Sequence, residues 1–145
     1  MTRYLLDTNI VSDATKPRYS KTLADWLATQ PDDDLFIATL TIAEIWRGII
    51  EMVSSRRRRE LEAWFVSLQG PRTLFRGRIL PFDERAAIEW GRIMAEGRPA
   101  GRPRSPIDMI IAATAVANDC VLVTGNERHF QGVIEFFINP LRSTD

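Results

Sequence analysis

Four short apolar runs, each followed by a stretch of helical spacing, constrain this chain more than any other feature. They are residues Arg3–Leu6, Leu35–Ala38, Ile79–Phe82 and Val121–Thr124, and Phe136–Ile138 is a fifth, shorter candidate. Runs of this length, rich in Leu, Ile, Val and Phe, read as strands. The intervening stretches read as helices. Leu23, Trp26 and Leu27 share a face in Ser20–Thr29, with Ser20 as N-cap. Ile42, Ile45, Trp46 and Ile49 do so from Thr41 to about Met52. Further helices are expected over Ser54–Leu68, from Asp83 to about Glu96, and over Pro106–Asn118, with a turn or short helix at Asn126–Phe130. Residues 70–77 (GPRTLFRG) and 97–106 (GRPAGRPRSP) read as loops. Strands alternating with helices predict an α/β fold with a parallel sheet. At 145 residues the chain is expected to form one domain, spanning 1–145.

The chemistry follows from where the acids fall. Asp7 ends the first strand-like run, Glu44 lies in the first turns of the helix after the second, and Asp108 opens the helix before the fourth. In an open parallel sheet the C-terminal strand ends gather on one edge, at the point where the strand order reverses, and ligands bind there. Carboxylates collected at such an edge repel one another unless a cation lies among them, and oxygen donors suit hard divalent ions such as Mg²⁺ or Mn²⁺. Taken singly, each acid is explained by helix capping: Thr41-x-x-Glu44 and Ser105-Pro106-Ile107-Asp108 both fit the capping-box pattern, and Asp7 can start a helix. Taken together, three acids at equivalent places, two of them beside apolar runs, point to a metal site. The two roles are compatible, since one carboxylate oxygen can cap while the other faces an ion. Thr8, Asn9, Thr124 and Asn126 lie near the acids and are of a type that orients carboxylates or water, though each is also an ordinary turn former.

Charge is unevenly spread although the net is zero. Residues 1–45 carry 4 basic and 7 acidic groups, residues 46–104 carry 13 and 7, and residues 105–145 carry 2 and 5. The middle excess is almost wholly Arg, the better bidentate phosphate ligand. Arg47 and the segment Arg98–Arg104 are candidate phosphate contacts, and a solvated helix face is the competing reading for each.

Several classes are excluded or disfavoured. No apolar run approaches 18 residues, and the start of the chain lacks a signal-peptide pattern, so a cytoplasmic protein with no membrane span is expected. The single Cys120 reads as a small core residue. One histidine, His129, rules out a two-histidine ribonuclease mechanism. A receiver domain needs a late Lys, and none follows Lys21; a D-x-D phosphatase needs Asp at position 9, which is Asn; no G-x-G-x-x-G is present.

Four segments then carry a resemblance: LLDTNIVSD, TIAEIWRGI, GRILPFDE, and PIDMIIAATA followed by VLVTGNERHF. In order and spacing they cover nearly the whole chain, which resembles a PIN-domain ribonuclease of the VapC/FitB type, the toxin of a toxin–antitoxin pair. The resemblance implies a three-layer α/β/α domain around a five-stranded, mainly parallel sheet. It implies an Mg²⁺- or Mn²⁺-dependent endoribonuclease acting on RNA, a homodimer, a VapB-like antitoxin that blocks the site, and operator DNA bound by the toxin–antitoxin complex. Asp7, Glu44 and Asp108 match the family's first three acids and would hold the ion. The fourth position departs: Thr124-Gly125-Asn126-Glu127-Arg128-His129 places Asn126 or His129 where relatives carry Asp. Asn126 is taken as the candidate there, and the departure weakens the case for a tightly held second ion. Gly125 stands where relatives often carry Arg. The expected chemistry is metal-assisted hydrolysis leaving a 3′-hydroxyl and a 5′-phosphate; the alternative is a non-cleaving module of the same fold that binds nucleic acid or an antitoxin. Trp46, Ile49, Ile50 and Met52 are the candidate partner surface.

Overall fold

The computed structural model describes residues 2–14, 20–97 and 104–141. Five strands, β1 (Tyr4–Leu6), β2 (Leu35–Ala38), β3 (Ile79–Leu80), β4 (Val121–Val123) and β5 (Phe137–Ile138), form one sheet in the order β3-β2-β1-β4-β5. Every pairing is parallel, with Tyr4 opposite both Leu35 and Val121. The helices are α1 (Thr8–Ala14), α2 (Lys21–Ala28), α3 (Thr39–Ile50), α4 (Arg56–Val66), α5 (Pro71–Leu74), α6 (Glu84–Gly97), α7 (Pro106–Ala117) and α8 (Glu127–Phe130).

The period of two along each strand sorts the core into two layers. Leu5, Ala38 and Leu122 face α6 and α7, packing with Ile93, Met109, Ile111, Ala112 and Phe130. Their neighbours Leu6, Ile37 and Val123 face the other side, packing with Ile10, Val11, Leu23, Ile45, Ile49 and Phe65. Helices therefore cover both faces, as a sheet of near-continuous apolar strands requires. The result is the expected three-layer α/β/α arrangement with a five-stranded parallel sheet.

Local chemistry sets the element ends. Ser20 and Ser55 cap α2 and α4, their hydroxyls accepting the N–H of Leu23 and Arg58. Asp83 Oδ1 accepts the Ala86 N–H at 3.0 Å and starts α6. Helix α7 ends in a Schellman motif: the Cys120 N–H reaches the Ala115 carbonyl at 2.9 Å and the Asp119 N–H reaches Val116 at 3.2 Å. Asp119 takes the left-handed conformation this needs, with φ 53°. The chain thereby drops directly into β4.

Three expectations are corrected. Residues 70–77 contain helix α5, opened by Pro71 at its first turn, where a missing N–H costs nothing. Strand β3 stops at Leu80, short of Phe82, because only Ile79 and Leu80 find partners on β2. Helix α3 starts at Thr39 rather than Thr41, directly off β2, so Thr41 lies inside the helix and is not its cap. Among the described residues no helix is long and apolar enough to cross a membrane.

Candidate active site

The strand order reverses between β1 and β4: the chain leaves β1 towards β2 and β3 on one side, then returns to β4 on the other. Asp7 stands at the end of β1 and Thr124 at the end of β4, on either side of this crevice. The Thr124 hydroxyl donates to Asp7 Oδ2 at 2.8 Å, and the Thr8 N–H donates to Asp7 Oδ1 at 2.8 Å. The Asp7 N–H is itself tied to the Val123 carbonyl at 2.8 Å, and its carbonyl accepts from Ile10 to start α1. Asp7 is 7% exposed, so its carboxylate has lost most of its hydration.

Burial pushes the Asp7 carboxyl above its usual range. The hydrogen bonds from Thr124 and Thr8 pull it back in part, and the charges of Asp108 and Glu44 push it up again. Asp7 thus senses both other acids, although Glu44 lies within α3 and Asp108 in the first turn of α7.

Glu44 is reached through Thr8. The Thr8 hydroxyl donates to Glu44 Oε1 at 2.6 Å and lies 3.1 Å from the Thr41 hydroxyl. A hydroxyl has one proton; with that of Thr8 given to Glu44, Thr41 must donate to Thr8. The order is Thr41 to Thr8 to Glu44. Thr41 is fully buried, so its hydroxyl needs this partner. The capping-box explanation of Glu44 falls with it.

Asp108 lies in the first turn of α7, where the Ser105 hydroxyl accepts its N–H at 3.3 Å. Its carboxylate faces α8: His129 Nδ1 lies 2.7 Å from Asp108 Oδ2. The Ser105-x-x-Asp108 cap is therefore used through one of its two bonds, and the acid itself faces the position where relatives were expected to carry a fourth acid.

The remaining candidates separate clearly. Asn9 Oδ1 accepts the Gly125 N–H at 3.4 Å, bracing the loop after β4. A side chain at Gly125 would meet only the tip of the Leu141 side chain, which can turn aside. Asn126 is exposed; its N–H donates to the Thr124 hydroxyl at 2.9 Å, but its side chain makes no capping bond to α8. Of the two residues at the fourth position, His129 and not Asn126 has its side chain on an acid. The signal in the sequence was the alternative spacing Thr124…His129. Arg47 is exposed and paired with Glu51 at 2.7 Å, a weak surface contact that a phosphate can displace. Of the Arg98–Arg104 segment, residues 98–103 lie outside the described residues. Arg104 itself donates to the carbonyls of Ile93 and Gly132. Ile49 is buried in the core, whereas Trp46, Ile50 and Val53 are exposed.

The donor set fits a divalent cation. It consists of carboxylate oxygens, and the mutual repulsion felt at buried Asp7 is what a cation relieves. Among the described residues no three acid, His or Cys side chains close into a finished cage. Thr124, Thr8 and His129 each hold one oxygen of an acid, and every carboxylate oxygen keeps a further lone pair for an ion.

A parallel α/β sheet with acids at its switch point is the architecture this chain presents, and the PIN domain model matches residues 4–134. The chain belongs to the PIN domain family. It is 30% identical to the VapC ribonuclease Y4jK of Sinorhizobium fredii over 136 residues, 94% of this chain and 96% of the relative. It is 29% identical to toxin FitB of Neisseria gonorrhoeae, over the same shares. The solved structure of FitAB bound to the IR36 DNA fragment superposes with a TM-score of 0.87 at 27% identity, covering 98% of each chain.

Proposed function

We propose that this chain is a metal-dependent endoribonuclease, the toxin of a toxin–antitoxin pair. The observation that carries this reading is buried Asp7 at the β1/β4 crevice, its carboxyl pushed up by burial first and then by the charges of Asp108 and Glu44. Relatives named as ribonuclease and toxin support it.

Asp7, Glu44 and Asp108 would hold Mg²⁺ or Mn²⁺. Such an ion, when bound, would supply Lewis acidity for phosphodiester hydrolysis. The protein's own part is orientation. Thr124 and the Thr8 N–H fix the Asp7 carboxylate, and the Thr41–Thr8 pair fixes Glu44. RNA phosphates near the acids find exposed Arg47 one turn along α3. The altered fourth position, with Asn126 and His129 in place of an acid, favours one ion over two.

The exposed Trp46 and Ile50 in the C-terminal half of α3, with Val53 just beyond it, suit an apolar partner segment. We assign this surface to a VapB-like antitoxin or a second copy of the chain. The antitoxin complex would bind operator DNA, in line with the FitAB–DNA structure.

Cleavage of end-labelled total RNA by antitoxin-free protein tests the reading. It should proceed with Mg²⁺ or Mn²⁺, stop with EDTA, and be lost in Asp7→Asn and Asp108→Asn. Metal-dependent cleavage retained by Asp108→Asn would sink the site assignment. Folded, metal-loaded protein that cleaves nothing would favour the non-cleaving module.

A further inference from the structure

The chain's one histidine sits on the Asp108 carboxylate. Helix α8 is a single turn, anchored by fully buried Phe130 against the α6/α7 side of the sheet. The His129 N–H bonds the Asn126 carbonyl at 3.0 Å, which fixes where the ring leaves the backbone. Nδ1 then reaches Asp108 Oδ2 at 2.7 Å, a charge-assisted distance.

We infer that His129 is a positioning residue for the metal site: its Nδ1–H holds one oxygen of Asp108 and leaves the other to ligate the ion. The inference rests on the metal-dependent reading above. An acid in the first turn of a helix turns freely about its side-chain bonds, and that freedom is lost when an ion binds. A donor on one oxygen removes the loss beforehand. Thr124 does this for Asp7 and Thr8 for Glu44, so the three acids each have a donor from a neighbouring element. At the fourth position the chain thus replaces a charge with a donor. The pair is half exposed, at 52% for His129 and 30% for Asp108, so it adds little to folding. Its effect should appear in metal affinity rather than in stability.

Calorimetric titration with Mn²⁺, checked by the electron paramagnetic resonance signal of free Mn²⁺, tests this on the full chain. The variants are His129→Ala, His129→Asn, Asp7→Asn and Asp108→Asn, each with its metal-free melting temperature. His129→Ala should bind Mn²⁺ about 10-fold more weakly, with an unchanged metal-free melting temperature. His129→Asn, whose amide N–H stands near the place of Nδ1–H, should recover affinity to within about 3-fold of the natural protein. Equal affinity in His129→Ala, with binding lost in the two Asp variants, would overturn the inference and leave the nuclease reading intact. Equal weakening in His129→Ala and His129→Asn would also overturn it, because the second ring nitrogen would then be a ligand. Absence of Mn²⁺ binding by the natural protein would remove both readings together.

Discussion

The Thr124 hydroxyl bonds Asp7 Oδ2 at 2.8 Å across the gap between β4 and β1, joining two positions 117 apart in the chain. Both residues are buried, and Thr124 Oγ also accepts the Asn126 N–H at 2.9 Å. One side chain thus steadies the acid and the loop that follows β4. Thr124→Val keeps the shape and removes the donor. It should cost about 1–3 kcal/mol of stability, since a buried carboxylate loses one of its two donors. Metal affinity should fall about 10-fold or more. Thr124→Ser should restore most of both; thermal melts and Mn²⁺ titrations of the pair decide it.

Asp7→Asn should make the metal-free protein more stable while destroying the site. The amide presents an oxygen to the Thr8 N–H and an N–H₂ to the Thr124 hydroxyl, which turns from donor to acceptor, and the buried charge is gone. The sign follows from linkage. The folded-state pKa of Asp7 is raised, so the native state holds its proton more tightly than the unfolded chain. Its contribution is most favourable below the ordinary aspartate range and worsens as pH rises through the raised value. At neutral pH in EDTA the gain in Asp7→Asn should be on the order of 1 kcal/mol. At a pH below the ordinary aspartate range it should vanish. A melting temperature lower than that of the natural protein at neutral pH would contradict the account.

Divalent metal should stabilise the natural protein and not the acid variants. A ligand bound only by the folded state adds about 2.7 kcal/mol at 100 times its Kd. Melting in Mg²⁺ or Mn²⁺ should therefore rise by several degrees, return to baseline with EDTA, and stay flat in Asp7→Asn and Asp108→Asn. A rise of equal size in Asp108→Asn would place the ion elsewhere.

Gly70 tests the packing of the turn that joins α4 to α5. Its N–H bonds the Ser67 carbonyl at 3.0 Å, and a Cβ there would press into the backbone carbonyls of Trp64 and Phe65, which cannot move aside alone. Gly70→Ala should cost about 1–3 kcal/mol, read by denaturant unfolding, with metal affinity unchanged. Gly48 on the exposed face of α3 has open space around the same position. Gly48→Ala should be neutral or slightly stabilising, by up to about 1 kcal/mol.

Much of this protein was legible from residue order alone. Short apolar runs such as VLV and LFIA, the cap residues Ser20 and Asp83, and Pro106 opening α7 act through neighbours within a few positions, so the elements and the parallel α/β class could be read directly. The acids at the strand ends were equally visible, because a change from apolar to charged at a strand's end is a local signal. The tertiary structure decided how those acids are held. Starting α3 at Thr39 turned Thr41 from a cap into a buried donor, and the parallel register of β4 beside β1 put Thr124 against Asp7. Seating Phe130 in the core swung His129, rather than Asn126, onto Asp108. Each of these contacts joins elements distant in sequence. Their geometry depends on strand order, register and how deeply a neighbouring side chain is buried, and no local pattern of residues encodes those.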